Sequence, residues 1–172
     1  MSTGIVIADT SVLVNFLRID RMDLIGGYPA AFIATEHVGT EISDDYPDQQ
    51  TRYQAALSAG LLTEERIDDP TELDIFLQLS RHPRLGSGER SAIAVALNRG
   101  HVLAIDDNRA IKKALQEAGL AKTNLPIIRT QDIVVALIQA RALTVEAADT
   151  ILQDWAGNHR FKLKISSFAE IT

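Results

Sequence analysis

The residues of this sequence best suited to chemistry are acidic side chains placed directly after apolar runs. Asp9 follows residues 5–8, and the pair Asp106 and Asp107 follows residues 101–105. Carboxylates gathered in one place without cations repel one another and take up protons. A hard divalent ion with oxygen ligands, Mg²⁺ or Mn²⁺, relieves that repulsion. Such an ion can polarise a phosphoryl oxygen and generate hydroxide, so the pattern favours metal-assisted hydrolysis of a phosphodiester.

Two further acids lie on predicted helices. Glu89 precedes Ala92 and Ile93 by three and four residues, which puts its carboxylate on the inward face of a helix start. A favourable interaction with the helix dipole is the competing explanation for an acid at this position. Glu41 lies on the buried side of another predicted helix, although Glu36 in the same segment is an alternative.

The acids that follow the apolar runs leave two questions open. Thr10 or Ser11 can cap the helix that begins after Asp9, and Asp9 could itself serve only as a cap. Either Asp106 or Asp107 can belong to the acidic cluster. We favour Asp106, because it is the first residue past the strand.

Short apolar runs alternate with amphipathic stretches along the chain, which predicts an α/β fold. We expect one domain over residues 1–172, with a central, mainly parallel sheet and helices on both faces. Strands are predicted at residues 5–8, 31–34, 61–67, 101–105, 126–128 and 161–165, the last half-buried with a basic outer face. The predicted core includes Ile5, Val6, Ile7, Leu13, Val38, Ile93, Leu97, Leu103 and Ile105. Because open α/β sheets place ligand sites at the carboxyl ends of their strands, strands 5–8 and 101–105 must lie close together.

Composition limits the compartment and the partners. The chain has 172 residues, no cysteine and a net charge of −6, so a disulfide framework and a thiolate metal site are excluded. No apolar run approaches the roughly 20 residues of a membrane span, and the N-terminus lacks the features of a signal peptide. We therefore expect a soluble cytoplasmic protein. The negative charge argues against coating nucleic acid by bulk electrostatics, but it leaves nucleic acid open as a substrate.

Four short motifs occur in an order that resembles a known family. They are Asp9-Thr-Ser-Val-Leu-Val-Asn15, Glu41-Ile42, Gly88-Glu89-Arg-Ser-Ala-Ile-Ala-Val-Ala-Leu97 and Ile105-Asp106-Asp107-Asn-Arg-Ala110. Together they look like a PIN domain, and the resemblance covers essentially the whole chain. It is closest to the bacterial and archaeal toxin-like branch, which carries a Gly-Glu helix start and an Ile-Asp-Asp strand end.

The resemblance implies a metal-dependent endoribonuclease that uses Mg²⁺ or Mn²⁺. The catalytic acids it implies are Asp9, Glu41, Glu89 and Asp106. The metal ligands are expected to be Asp9, Glu89, Asp106 and Asp107. Many members of the branch are VapC-type toxins of type II toxin–antitoxin pairs, so RNA and a small cognate antitoxin protein are the expected partners.

Three polar residues are candidates for binding the substrate. Ser11 and Asn15 match polar positions of the family's first motif and can hold a water or a phosphate. For Asn15, a purely structural hydrogen bond is the alternative. Arg109, just past the acidic pair, can contact an RNA phosphate or remain a solvated helix charge.

The apolar residues of the last two predicted helices predict a homodimer. They exceed what a small domain needs to cover a sheet edge, and large exposed apolar patches mark interfaces. The alternative is that they complete the core of the monomer. The residues concerned are Val134, Leu137, Ile138, Ile151 and Leu152.

Other functions fit parts of the pattern. A haloacid-dehalogenase-type phosphatase also begins with a strand that ends on Asp, but it has a second Asp two residues on, where this chain has Ser11. A response-regulator receiver has its acidic pair early, and here Asp106 and Asp107 come late. The serious alternative is a PIN fold that binds RNA or protein without turnover, and the presence of all four acids argues against it.

Overall fold

A computed structural model describes residues 4–172, and in it a five-stranded sheet runs through the centre of the molecule with every pair of neighbouring strands parallel. The strands are β1 (Val6–Ala8), β2 (Phe32–Thr35), β3 (Thr63–Glu65), β4 (Val102–Ala104) and β5 (Ile127–Ile128), in the spatial order β3-β2-β1-β4-β5. Val6 on β1 lies opposite Phe32 on one side and Val102 on the other. The expected pairing of the first strand with the strand before Asp106 is therefore confirmed, and the sheet is wholly rather than mainly parallel.

Helices cover both faces of the sheet, as predicted. They are α1 (Thr10–Arg18), α2 (Met22–Gly26), α3 (Glu36–Asp45), α4 (Gln50–Ser58), α5 (Pro70–Leu79), α6 (Ser87–Arg99), α7 (Asn108–Leu120), α8 (Thr130–Gln139) and α9 (Val145–Asn158). Helices α1 to α4, α8 and α9 pack on the face that holds Val6 and Ala8, whereas α5, α6 and α7 pack on the face that holds Ile7. The central strand is thus buried on both sides, which explains its uninterrupted apolar sequence. Across residues 4–172, no helix combines the length and the apolar character needed to cross a membrane.

Most of the predicted core is buried. Ile5 and Leu97 are the exceptions: Ile5 is 37% exposed because it precedes the first paired residue of β1, and Leu97 is half-buried in the last turn of α6. The other predicted core residues, Val6, Ile7, Leu13, Val38, Ile93, Leu103 and Ile105, are buried.

The strand predicted at residues 161–165 is wrong. The alternation is present, since Phe161 and the apolar residues after it are half-buried while the lysines between them are exposed. However, the segment pairs with no strand of the sheet and instead lies against the α1/α9 side of the core. Phe161 contacts Trp155 edge-to-face, with ring centroids 5.2 Å apart. The alternating pattern thus correctly indicated which side chains face the protein, but it did not indicate that the segment pairs with another strand.

The last two helices pack within the monomer. Val134, Leu137, Ile151 and Leu152 are buried in the same apolar cluster as α1, and Ile138 packs against it. Trp155 Nε1 donates to the carbonyl oxygen of Asn15 at 2.8 Å, which fixes α9 to α1. The apolar residues that suggested a homodimer are therefore packed in the core of the monomer. Self-association stays a prediction, and these helices give it no support.

Candidate functional site

Asp9 lies directly after β1, where its backbone N–H donates to Ala104 O at 2.9 Å. Its side chain is only 2% exposed. Oδ2 accepts from Ser11 N at 3.1 Å and from Ser11 Oγ at 2.6 Å, so Asp9 itself caps α1 rather than Thr10 or Ser11. Oδ1 is buried without a hydrogen-bond partner among the described residues. A carboxylate oxygen is thus held inside the protein with its bonding capacity unused.

Ser11 joins the carboxyl ends of the two central strands. Its hydroxyl donates to Asp9 Oδ2 and accepts from Asp106 N at 3.1 Å. Both of these bonds are internal, and the predicted role of Ser11 in binding substrate stays a prediction. In this geometry Ser11 positions the acids that follow β1 and β4.

Glu41, rather than Glu36, extends toward Asp9. Its Oε2 accepts from Thr10 Oγ1 at 2.7 Å, and its Oε1 accepts from Gly88 N at 2.8 Å. Glu36 instead forms an ion pair with Arg66 at 3.1 Å on the β3 side of α3. The question that the sequence left open between these two glutamates is therefore answered geometrically in favour of Glu41.

Glu89 lies in the first turn of α6, with Oε2 accepting from Gly86 N at 3.0 Å, so the helix is capped at Gly86. Burial raises the pKa of Glu89 to about 7, and the negative charges of Asp9, Asp107 and Glu41 act in the same direction. Burial likewise raises the pKa of Asp9 to about 6, with a further contribution from Glu41 and opposition from the Ser11 hydrogen bonds. The charged groups that act on these two carboxyls are themselves acids. We call Asp9, Glu41, Glu89 and Asp107 the acidic cluster.

The adjacent aspartates divide between two roles. Asp106 Oδ1 accepts from Thr130 N at 3.0 Å, and Oδ2 accepts from Thr130 Oγ1 at 2.6 Å and Asn15 Nδ2 at 3.0 Å. Asp107 is exposed and accepts from Ala110 N at 2.9 Å at the start of α7. Burial and the charge of Asp9 raise the pKa of Glu89 most, and of the two adjacent aspartates Asp107 is the one that adds to this rise. The sequence favoured Asp106 as the acid that reaches the metal, because it is the first residue past the strand, whereas in the structure both oxygens of Asp106 are bound by Thr130 and Asn15.

Asn15 acts on Asp106 and not on the surface. It is 5% exposed, and its amide donates both to Asp106 and to Thr130 Oγ1, the latter at 3.1 Å. The structural hydrogen bond that was the alternative for Asn15 is therefore present. Arg109 is exposed in the first turn of α7, two residues after Asp107.

Two residues of the site were missed by sequence reasoning. Thr130 is fully buried and supplies both a backbone and a hydroxyl donor to Asp106. Its position as the first residue of α8 was the available signal. Gly88 contacts Glu41 so closely that a Cβ at this position would overlap the carboxylate. The Gly-Glu pair at the start of α6 was recognised as a motif, but the need for glycine follows only from Glu41 on another helix.

The residues present fit a hard divalent cation. Within residues 4–172, no three His, Cys, Asp or Glu side chains are already arranged as a metal site. The donors of the acidic cluster are nevertheless all carboxylate oxygens, which Mg²⁺ and Mn²⁺ prefer. The buried, unpartnered Asp9 Oδ1 is a free acceptor among them, and a cation would offset the repulsion that raises the pKa of Glu89.

A parallel sheet with an acidic cluster at the carboxyl ends of its central strands is thus the class of structure that the chain forms. The chain belongs to the PIN-domain family DUF3368, which matches residues 5–171. PIN domains are generally nucleases and generally use divalent metal ions.

The fold is also similar to a solved structure, a PilT N-terminus domain protein from the hyperthermophilic archaeon Sulfolobus solfataricus P2. The TM-score is 0.50, and the likeness covers 81% of this chain and 94% of that one. At 16% sequence identity the similarity shows the fold alone. No curated protein matches the sequence.

The raised pKa values predict how stability depends on pH in the metal-free protein. Asp9 moves from 3.8 to about 6 and Glu89 from 4.5 to about 7 on folding, so between about pH 4 and 7 the folded state holds more protons than the unfolded chain. The contribution of these groups to the free energy of unfolding therefore falls as the pH rises through that window. Relative to wild type, Asp9→Asn should gain on the order of 2–3 kcal/mol between pH 4 and pH 7.

Urea unfolding in EDTA at both pH values measures this difference, which includes the fall in the pKa of Glu89 when the Asp9 charge is removed. The matched control is Asp48→Asn, at an exposed position in the short 3-10 helix Pro47–Gln49. An Asp9→Asn difference that is the same at both pH values would show that the Asp9 carboxylate carries no burial penalty.

The contact between Gly88 and Glu41 predicts a coupling between two substitutions. Gly88→Ala should destabilise the wild-type protein, because the new Cβ displaces the Glu41 carboxylate and breaks its bond to Gly88 N. In a Glu41→Ala background the same change should stabilise by about 0.5–1 kcal/mol through helix propensity. A double-mutant cycle of unfolding free energies gives the coupling.

The control for this cycle is Gly157→Ala in α9, where an added Cβ meets nothing within 4 Å. It should have the same small effect in both backgrounds. If Gly88→Ala also had equal effects in both, the proposed contact with Glu41 would be wrong.

Proposed function

We propose that this protein is a metal-dependent endoribonuclease and that it acts as the toxin of a type II toxin–antitoxin pair. The observation that supports this best is the Asp9 carboxylate, buried beside other acids with Oδ1 unpartnered. Membership of the PIN-domain family supports a nuclease activity in general terms. RNA as the substrate and the toxin role are the proposal's own additions, and they rest on the order of the four motifs.

In this proposal Asp9, Glu89 and Asp107 hold one or two Mg²⁺ or Mn²⁺ ions, with Glu41 beside them. When bound, such an ion neutralises charge on the phosphoryl group and lowers the pKa of water for in-line attack. The contribution of Ser11 is to hold Asp9 Oδ2 and leave Oδ1 free.

Glu41 is oriented by donors from two other helices, Thr10 on α1 and Gly88 on α6. Asp106 acts as a positioning residue. Its bonds to Thr130 and Asn15 fix the backbone after β4, so that Asp107 is presented to the cluster.

Water, rather than a side chain, is the proposed nucleophile. The chain contains no cysteine. The hydroxyls nearest the acids, those of Ser11 and Thr10, donate to Asp9 and Glu41. A hydroxyl that donates to a carboxylate in this way orients that acid. Because a metal-bound water can attack the phosphodiester directly, the reaction needs no covalent intermediate with a protein side chain.

The alternative function is a PIN fold that binds RNA or protein without turnover. One observation favours it: within residues 4–172, no three acids are already arranged as a metal site. Loss of hydrolysis together with retained RNA binding would select this alternative.

Asp9→Asn provides the test of the chemistry. The substitution keeps the shape of the side chain and removes its charge, so cleavage of single-stranded RNA in Mn²⁺ should fall at least about 100-fold while the fold is kept. Asp48→Asn, at an exposed position, is the control and should cleave like wild type. The assay uses purified protein free of any antitoxin, with and without EDTA. Cleavage that survives both EDTA and Asp9→Asn would mean that the activity belongs to another site or another protein.

A further inference from the structure

A basic cleft lies on one side of the acidic cluster, between the loop that precedes α6 and the first turns of α7. Its volume is about 410 Å³, and it is lined by His82, Leu85 and four cations, Arg84, Arg109, Lys112 and Lys113. Its described lining contains no acid. The cleft adjoins the site through the chain itself, because Leu85 leads into the Glu89 turn and Arg109 follows Asp107. We call it the α7 cleft.

A second cleft lies on the other side of the cluster, under the C-terminal segment. Its volume is about 590 Å³, and Arg129, Lys162 and Lys164 line it together with Asp106 and Phe161. A smaller hollow of about 290 Å³ shares Asp106 and Phe161 and extends to Ser11, Asp107 and Arg18. The two hollows therefore adjoin at Asp106 and Phe161, and the smaller one reaches Asp107 of the acidic cluster. We call them together the tail cleft.

The cations of these clefts are largely uncompensated, although the protein as a whole carries a net charge of −6. Some cations elsewhere in residues 4–172 are paired with acids, for example Arg66 with Glu36, Arg81 with Glu117 and Arg99 with Glu72, whereas scattered ones such as Lys122 and Arg141 are not. None of the salt bridges among the described residues involves the cations Arg84, Arg109, Lys112, Lys113, Lys162 or Lys164. Positive charge is thus left free on both sides of the acidic cluster.

Apart from Asp107 of the acidic cluster, the acids that line the tail cleft are already engaged by the protein. Asp106 binds Thr130 and Asn15, and Asp132 accepts from Arg129 N at 2.8 Å. The Arg129 guanidinium is held by Asp106 O at 3.1 Å and by Asn108. The side chains of Lys162 and Lys164 are exposed, so they remain available to an anion.

We propose that the two clefts form one track, which binds the sugar-phosphate backbone of single-stranded RNA on both sides of the acidic cluster. This proposal rests on the ribonuclease function proposed above and adds the form and path of its substrate. Cations contact phosphates without reading sequence, and each cleft has the volume of a small-ligand pocket, a scale that fits a few unpaired nucleotides. A strand held on both sides of the acids is cut internally, so the track accounts for an endonuclease.

The test measures binding without turnover. Asp9→Asn protein in EDTA is titrated into a fluorescein-labelled single-stranded RNA of about 16 nucleotides, and anisotropy is followed from about 50 to 200 mM salt. One pair of substitutions, Lys112→Gln with Lys113→Gln, neutralises the α7 cleft. A second pair, Lys162→Gln with Lys164→Gln, neutralises the tail cleft.

Each pair should weaken binding at low salt by about fivefold or more and should lower the slope of log affinity against log salt by about 1.4, as expected for two single-strand phosphate contacts. The matched control is Lys122→Gln with Arg141→Gln. These residues are exposed, lie outside both clefts and remove the same formal charge, so the affinity should change less than about twofold and the slope should stay the same.

The possible outcomes separate the track from the chemistry. If both cleft pairs behave like the control, the track does not exist. If only one pair lowers the slope, the strand does not cross the acidic cluster and the two-sided path is wrong. A duplex RNA competitor that displaces the probe as well as a single strand would overturn the single-strand preference. Because nothing is hydrolysed in this assay, its result does not depend on catalytic activity. The track can therefore be confirmed or rejected even if the protein proves to have no ribonuclease activity.

Discussion

Burial of the Asp9 carboxylate at the end of the central strand is the interaction on which the site depends. The backbone of Asp9 ties β1 to β4, and its Oδ2 is held by Ser11, which in turn binds the backbone of Asp106. Oδ1 has no partner in the described residues. An ionised carboxylate in such a setting carries a desolvation cost. Among the described residues, no donor to Oδ1 offsets that cost at the carboxyl ends of the central strands.

Neutral donors orient the acids of the cluster without neutralising them. Thr10 and Gly88 hold Glu41, and Gly86 holds Glu89, yet the pKa of Glu89 is about 7 because burial and the surrounding carboxylates act together. Strain of this kind is found at functional sites, where an ion or substrate supplies the missing charge. Under the proposed function, the unpaired cations beside the acids have a matching role, because an anionic strand would have to approach a site that is itself negative.

The sequence predicts the strands, the sheet neighbours and the acids that follow them, because apolar runs and strand ends are local features. It does not decide between Glu36 and Glu41, since both lie on α3 and only the donors on α1 and α6 distinguish them. Nor does it separate Asp106 from Asp107, because adjacent residues point in different directions and the position of α8 determines which one is engaged. Residues 161–165 show the same limit, since alternation predicts which side chains are buried but not whether another strand lies alongside.

Titration of Mn²⁺ into the metal-free protein, followed by calorimetry, shows whether the acidic cluster binds a cation. The account predicts saturable binding by wild type, which raises the melting temperature by mass action. It also predicts a loss of affinity of about tenfold or more in Asp107→Asn and a smaller loss in Asp106→Asn, where only a positioning residue is changed. Absence of saturable binding by wild type would contradict the claim that the acidic cluster is a cation site. A larger loss in Asp106→Asn than in Asp107→Asn would contradict the assignment of the two aspartates.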